Sequence, residues 1–234
     1  MARGVFITFE GTEGCGKSTQ VQRLAARLGQ SGVPFLLTRE PGGTAIGETI
    51  RDLLQFAPEG KDMKPETELL LFEASRSQLV REIIEPALAQ GTCVISDRFY
   101  DSTTVYQGAA RKLDAKTVAG LNRVAVGDCI PDVTFVLDVN EETAKARMEK
   151  PRPADRMEQE PAEFYERVRQ AYRQLAADEP NRVTLINGLR SEDEIEDEIW
   201  SVITVRFSDL SANPKSARNA GEGAAGLSIR NPKY

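Results

Sequence analysis

The chain contains no histidine. That absence excludes a histidine general base, a Ser-His nucleophile pair and a histidine-ligated zinc site. Cysteine is scarce. Cys15, Cys93 and Cys129 are the only three, an odd number without metal-ligand spacing. Cys93 and Cys129 sit in or near apolar runs and read as buried thiols, which predicts a reducing, cytoplasmic setting. No apolar stretch approaches the roughly 20 residues that span a bilayer, so no membrane contact is expected. Met1-Ala2-Arg3-Gly4 leads straight into an apolar run, without the h-region of a secretory signal. A basic surplus is missing too. Lys and Arg total 30 against 36 Asp and Glu, a formal net charge of −6. This balance argues against a partner with a nucleic-acid backbone but allows single nucleotides, for which a few local arginines suffice.

What is present begins with Gly11-Thr12-Glu13-Gly14-Cys15-Gly16-Lys17-Ser18, a match to G-x-x-x-x-G-K-[ST]. Glycines let the backbone wrap closely, so that N–H groups point at phosphate oxygens. Lys17 adds a mobile positive charge, and Ser18 offers a hydroxyl to Mg²⁺. Val5–Phe9 before the loop is of strand type, and Ser18 to Leu28 reads as a helix. Phosphates would therefore rest on a helix N-terminus.

Further strands are predicted at 34–37, 92–96, 133–138 and 183–186, and further helices at 66–89, 114–126, 141–149, 160–177 and 192–205. Short apolar strands alternating with helices imply βαβ crossovers, hence an α/β fold: a five-stranded parallel sheet covered by helices on both faces. Ligands of such sheets bind beyond the carboxyl ends of the strands. That rule singles out Glu10, Thr38-Arg39-Glu40, Asp97-Arg98 and Asp138. The charged, proline-bearing stretch Lys150–Arg156 reads either as a solvated connector or as a basic lid, about 149–159, over the phosphates. The folded domain is expected over 1–207. Residues 208–234, poor in apolar side chains, read as a disordered tail.

Asp97 can hold the water shell of Mg²⁺ or can serve as a strand-end cap. Arg98 and Arg39, each following a strand, suit a second phosphate, that of an acceptor. Phe72 lies among Leu69, Leu70 and Leu71 and reads by itself as core. The Asn-Lys-x-Asp signature of guanine recognition is missing.

Phe9–Gln20, then Thr38-Arg39-Glu40-Pro41-Gly42-Gly43-Thr44, then Asp97-Arg98-Phe99 with Ser102 and Tyr106-Gln107-Gly108, resemble the successive signatures of the thymidylate kinases over about residues 4–206. The resemblance implies a P-loop kinase that phosphorylates dTMP to dTDP with ATP and Mg²⁺, as a homodimer packed through its long helices. It implies that the loop from Gly11 to Thr19 (Gly11, Thr12, Glu13, Gly14, Cys15, Gly16, Lys17, Ser18, Thr19) cradles ATP, and that Ser18 and Asp97 serve the metal. By the same resemblance, Glu13 contacts the acceptor 3′-hydroxyl, and Arg39 and Arg98 grip the dTMP phosphate. Phe72 stacks on thymine while Arg76, one turn on, bonds its edge. Tyr106 and Gln107 lie below sugar and base; Ser102 and Thr103 make small polar contacts or cap a helix. Gly14 stands where one branch of the family carries a basic residue, so the chain resembles the branch with lid arginines, here Arg152 and Arg156. Phe99 departs from the commoner tyrosine. Ile186-Asn187-Gly188 is similar to the loop lining the adenine site.

A phosphate acceptor is already ionised at neutral pH and requires no general base, so the missing histidine costs nothing. Two rival readings stand beside this one. A deoxynucleoside kinase would use Glu40 as base, and a P-loop switch would bind nucleotide without an acceptor.

Overall fold

The computed structural model describes residues 2–148, 156, 157 and 160–210. Strands β1 (Phe6–Glu10), β2 (Phe35–Arg39), β3 (Cys93–Asp97), β4 (Val133–Asp138) and β5 (Val183–Asn187) form one parallel sheet in the order β2-β3-β1-β4-β5. Every residue of β1 is buried, as a central strand flanked on both faces requires. The register sets Phe9 beside Asp97 on one side and Phe135 on the other. The chain leaving β1 therefore emerges next to the chain leaving β3.

Strand alternation divides the core. Ile7 and Phe9 pack with Val21, Leu24 and Leu28 of α1 (Lys17–Gln30) and with Ile195, Ile199 and Ile203 of α9 (Glu192–Arg206). Phe6 and Val94 face the other way. They meet Leu79 at the end of α3 (Pro65–Leu79), Val80 and Ile84 of a π turn, and Val126 of α6 (Ala115–Val126). A third cluster seats Phe164, Val168 and Tyr172 of α8 (Ala162–Asp178) against Val105 and Tyr106. Each buried Leu, Ile, Val or Phe contributes about 1.5–3 kcal/mol. The predicted three-layer architecture is present.

The element boundaries differ in instructive ways. The helix predicted at 66–89 is α3, a π turn at Val80–Ile84, and α4 (Glu85–Ala89). Pro86 has no N–H to return to the preceding turn, and the bonding widens just before it. Sequence reasoning missed α2 (Ala45–Gln55), although Ile46, Ile50, Leu53 and Leu54 carry helical spacing and Thr44 accepts from the Gly47 N–H as N-cap. It also missed the turns after β3: α5 (Tyr100–Thr103), continued by a π segment to Ala110. The domain runs past the expected boundary at 207. Ser208–Leu210 forms a 3₁₀ turn, and Leu210 is buried against the α1–α9 core. Of the expected lid, only Arg156, Met157 and the flanking Glu160 are described; Arg152 and residues 211–234 lie outside the described residues.

Candidate active site

The P-loop departs from β1 at Gly11. Gly16 takes a left-handed conformation (φ 101°) and caps α1 without any side-chain hydrogen bond. The first amides of α1 are thus left for an anion. Lys17 is buried, and its ammonium donates to the carbonyl oxygens of Thr12 (2.8 Å) and Gly11 (3.1 Å). Gly14 is there for a steric reason. A Cβ at this position would lie 2.3 Å from the Ala144 carbonyl oxygen on α7 (Glu141–Arg147). A basic side chain at position 14 would require α7 to withdraw.

Ser18 Oγ donates to Asp97 Oδ2 at 2.8 Å. Arg98, next in the chain, adopts φ 70°, a left-handed conformation uncommon for a side chain of this size. Glu10 accounts for the turn. Its Oε1 accepts from the Phe99 N–H (2.8 Å) and the Ser102 N–H (3.2 Å), and its Oε2 accepts from Ser102 Oγ (2.6 Å) and Tyr172 OH (2.7 Å). Burial raises the Glu10 carboxyl, opposed by Arg98. The Arg98 guanidinium reaches Glu13 (2.6 Å), Ser102 Oγ (3.1 Å) and Tyr106 OH (3.5 Å). Sequence reasoning flagged Glu10 by position alone; its four acceptor contacts appear only in the fold.

A cavity of about 620 Å³ opens between these elements. Lys17, Ser18 and Asp97 line it together with Glu13, Arg39, Arg98, Phe72, Ser102, Thr103, Tyr106 and Gln107. Phe72, whose leucine neighbours suggest core, is half-buried in the cavity wall. Arg76 is not in that wall. It is 1% exposed and donates to Glu40 (2.8 Å), Glu73 (2.7 Å), Asn122 (3.3 Å), Thr103 Oγ1 (3.0 Å) and the Phe99 carbonyl (3.5 Å). Burial works against the Arg76 charge, and Glu40 and Glu73 outweigh it. Glu40 is the counterpart: burial pushes its carboxyl up to about 7 against the pull of Arg76. A carboxylate engaged in this way is a structural anchor rather than a free base for a hydroxyl acceptor.

A family model described as thymidylate kinase matches residues 9–199. The chain belongs to the thymidylate kinase family. A thymidylate kinase of Afipia carboxidovorans is 45% identical over 219 residues, covering 92% of this chain and 95% of that one. One of Desulfosudis oleivorans is 48% identical over 198 residues, covering 82% of this chain and 92% of the relative. The crystal structure of thymidylate kinase from Ehrlichia chaffeensis matches with a TM-score of 0.70 at 36% identity, over 86% of this chain and 99% of that chain.

Other features of this thymidylate kinase fold were not legible in the sequence. Arg51 and Gln55 line the cavity from α2, the helix that sequence reasoning omitted. Arg147, at the end of α7, donates to the carbonyl oxygens of Gly188 (3.0 Å) and Cys15 (3.5 Å), so it ties the P-loop to the loop after β5. Glu68 is 1% exposed and gathers Gln107, Arg111 and Arg156. Arg156 therefore points toward α3: its guanidinium lies 2.6 Å from Glu68 and donates to the Leu54 carbonyl at 3.0 Å. Asp138, flagged at the end of β4, pairs with Arg169 and Arg173 and fastens α8 to the sheet.

Proposed function

We propose that the chain transfers the γ-phosphoryl group of ATP to the phosphate of dTMP, giving ADP and dTDP, in the cytoplasmic supply of dTTP. The observation that carries this reading is the single cavity that joins Lys17, Ser18 and Asp97 to Arg39, Arg98, Phe72, Tyr106 and Gln107. One end suits a triphosphate, the other a monophosphate on a planar base.

The loop Gly11–Thr19 holds ATP through backbone amides, with Lys17 turned from its carbonyl partners to the phosphates. Ser18 Oγ and Asp97 Oδ2, 2.8 Å apart, are hard oxygen donors that fit Mg²⁺ held mainly by phosphate and water. Bound there, Mg²⁺ would offset negative charge on the phosphates. Among the described residues no group of three or more Asp, Glu or Cys forms a cage of its own.

Arg98, held by Glu10 in its turn, and Arg39 orient the dTMP phosphate; Arg51 adds a cation to the same wall. Glu13 receives the sugar 3′-hydroxyl, and Phe72 stacks on the base. Ser102, Thr103 and Tyr106 complete the sugar and base contacts. Arg76 acts on the base edge through Thr103, since its own donors are occupied. Arg152 and Arg156 are the lid cations; Arg156 would leave Glu68 to reach the transferred group. Alignment and charge stabilisation supply the rate, without a general base. A homodimer is part of the same reading: Leu70 on α3 and Val124 on α6 are 54% and 76% exposed, an apolar pair on neighbouring helices.

The test is ADP release with ATP and Mg²⁺ in the presence of dTMP, thymidine, dUMP, dCMP, AMP or no acceptor. Selective stimulation by dTMP is expected. Preference for thymidine would return Glu40 to the role of base, and indifference to every acceptor would favour a nucleotide-binding switch.

A further inference from the structure

Gln107 lines the cavity, yet its side-chain nitrogen is spent elsewhere: Nε2 donates to Glu68 Oε1 at 2.7 Å. A primary amide has one donating end and one accepting end, and which end faces a ligand depends on what binds the other. Here the choice is forced. Glu68 sits beneath Gln107 with Arg111 Nε at 3.2 Å, Arg111 Nη2 at 3.1 Å and Arg156 Nη2 at 2.6 Å. Arg111 donates to both carboxyl oxygens of Glu68 while its Nη1 pairs with Glu160 at 2.6 Å, so it keeps Glu68 ionised even when Arg156 departs, and an ionised carboxylate can only accept. These partners hold its pKa below the usual range although burial opposes them. The Gln107 nitrogen must therefore turn toward Glu68. Its carbonyl oxygen is the end left for a base.

We propose that Glu68 is a specificity-determining positioning residue: it locks the Gln107 amide so that Oε1 is presented to the base as an acceptor. An acceptor at this point calls for a base whose facing ring nitrogen carries a proton. Thymine and uracil meet this requirement with N3–H. Cytosine does not, since its N3 is an acceptor and would face Oε1 lone pair to lone pair. A site that leaves a polar group unpaired discriminates more strongly than one that loses a methyl contact. The discrimination thus originates one residue behind the wall, in the ion cluster that also holds Arg156. This inference rests on the dTMP reading and adds the source of its selectivity against cytosine.

Glu68→Gln tests it. A glutamine can donate as well as accept, so Gln107 is free to flip and offer Nε2 to cytosine. The readout is the ratio of kcat/KM for dTMP to that for dCMP, beside the KM for ATP. The ratio should fall by roughly ten-fold or more, one unpaired or restored hydrogen bond, with the KM for ATP within about two-fold of the parent. A folded variant with an unchanged ratio would overturn the proposal. So would a fall in both substrates' kcat/KM by one common factor, the mark of mere loosening. If the charge change prevents folding, Gln107→Leu decides: the ratio should collapse because no acceptor remains, and an unchanged ratio refutes the lock. A parent protein without any dTMP-stimulated ADP release would remove the functional reading and this inference together. A dTMP-active parent with an insensitive variant removes the inference alone.

Discussion

The two ends of the cavity are made of different materials. The donor end is mostly backbone: a glycine-shaped loop, the unpaired amides of α1, and Lys17 resting on its own loop carbonyls. The acceptor end is side chains braced by other side chains. Arg98 is set by Glu10, Arg76 is enclosed by Glu40 and Glu73, and Gln107 is held by Glu68. Backbone recognition suits a triphosphate, whose oxygens accept from any N–H of suitable direction. Side-chain recognition suits a choice among bases, which differ only in where donors and acceptors lie. The first kind survives many substitutions. The second depends on buried ion pairs, which lose heavily when one partner goes.

Substitutions can break or sharpen this contrast. The largest effect is expected for Lys17→Ala, a fall in kcat on the order of 10³-fold or more, because this cation meets charge developing in transfer. Stopped-flow or steady-state ADP release checks it; near-normal turnover would remove Lys17 from the chemistry. Arg76→Met should next cost about 3–5 kcal/mol in urea unfolding, since Glu40 and Glu73 would remain buried without their cation. A loss under about 1 kcal/mol would mean that the carboxyls take up protons at little expense. Arg98→Ala should lower kcat/KM for dTMP by roughly 100-fold, a charge-assisted contact removed from the acceptor. Normal turnover at normal dTMP affinity would sink its assignment. Arg147→Ala should be the mildest, a rise of a few-fold, roughly three to ten, in the KM for ATP alone, since it bridges two backbone carbonyls and touches no phosphate-binding side chain. An equal change in the KM for dTMP would blur the boundary between the two ends.

The same contrast explains what the sequence could tell. The donor end was legible because the spacing of Gly11, Gly16, Lys17 and Ser18 is itself the geometry of the loop. The parallel sheet was legible because buried strands such as Phe6–Glu10 write short, largely apolar runs, here Phe6, Ile7 and Phe9. The acceptor end was legible only as a set of lining residues. Phe72, Arg98, Tyr106 and Gln107 could be named, but not what orients them. Glu10, Glu40 and Glu68 are ordinary glutamates in one dimension; their partners lie 92, 36 and 39 residues away. Ser102 is a case in point: beside the base contact or cap that the sequence offered, its hydroxyl binds Glu10 in the fold. Arg51 was lost with α2, whose apolar series was present but was passed over between two glycine-rich and proline-bearing segments.

Calorimetric titration of Lys17→Ala and Arg98→Ala, each with dTMP and with a non-hydrolysable ATP analogue in Mg²⁺, tests the division most directly. The account expects a crossed result. Lys17→Ala should lose affinity for the analogue and keep dTMP, and Arg98→Ala should lose dTMP and keep the analogue. Loss of both ligands in either variant would contradict it, and would mean that donor and acceptor ends form one cooperative unit.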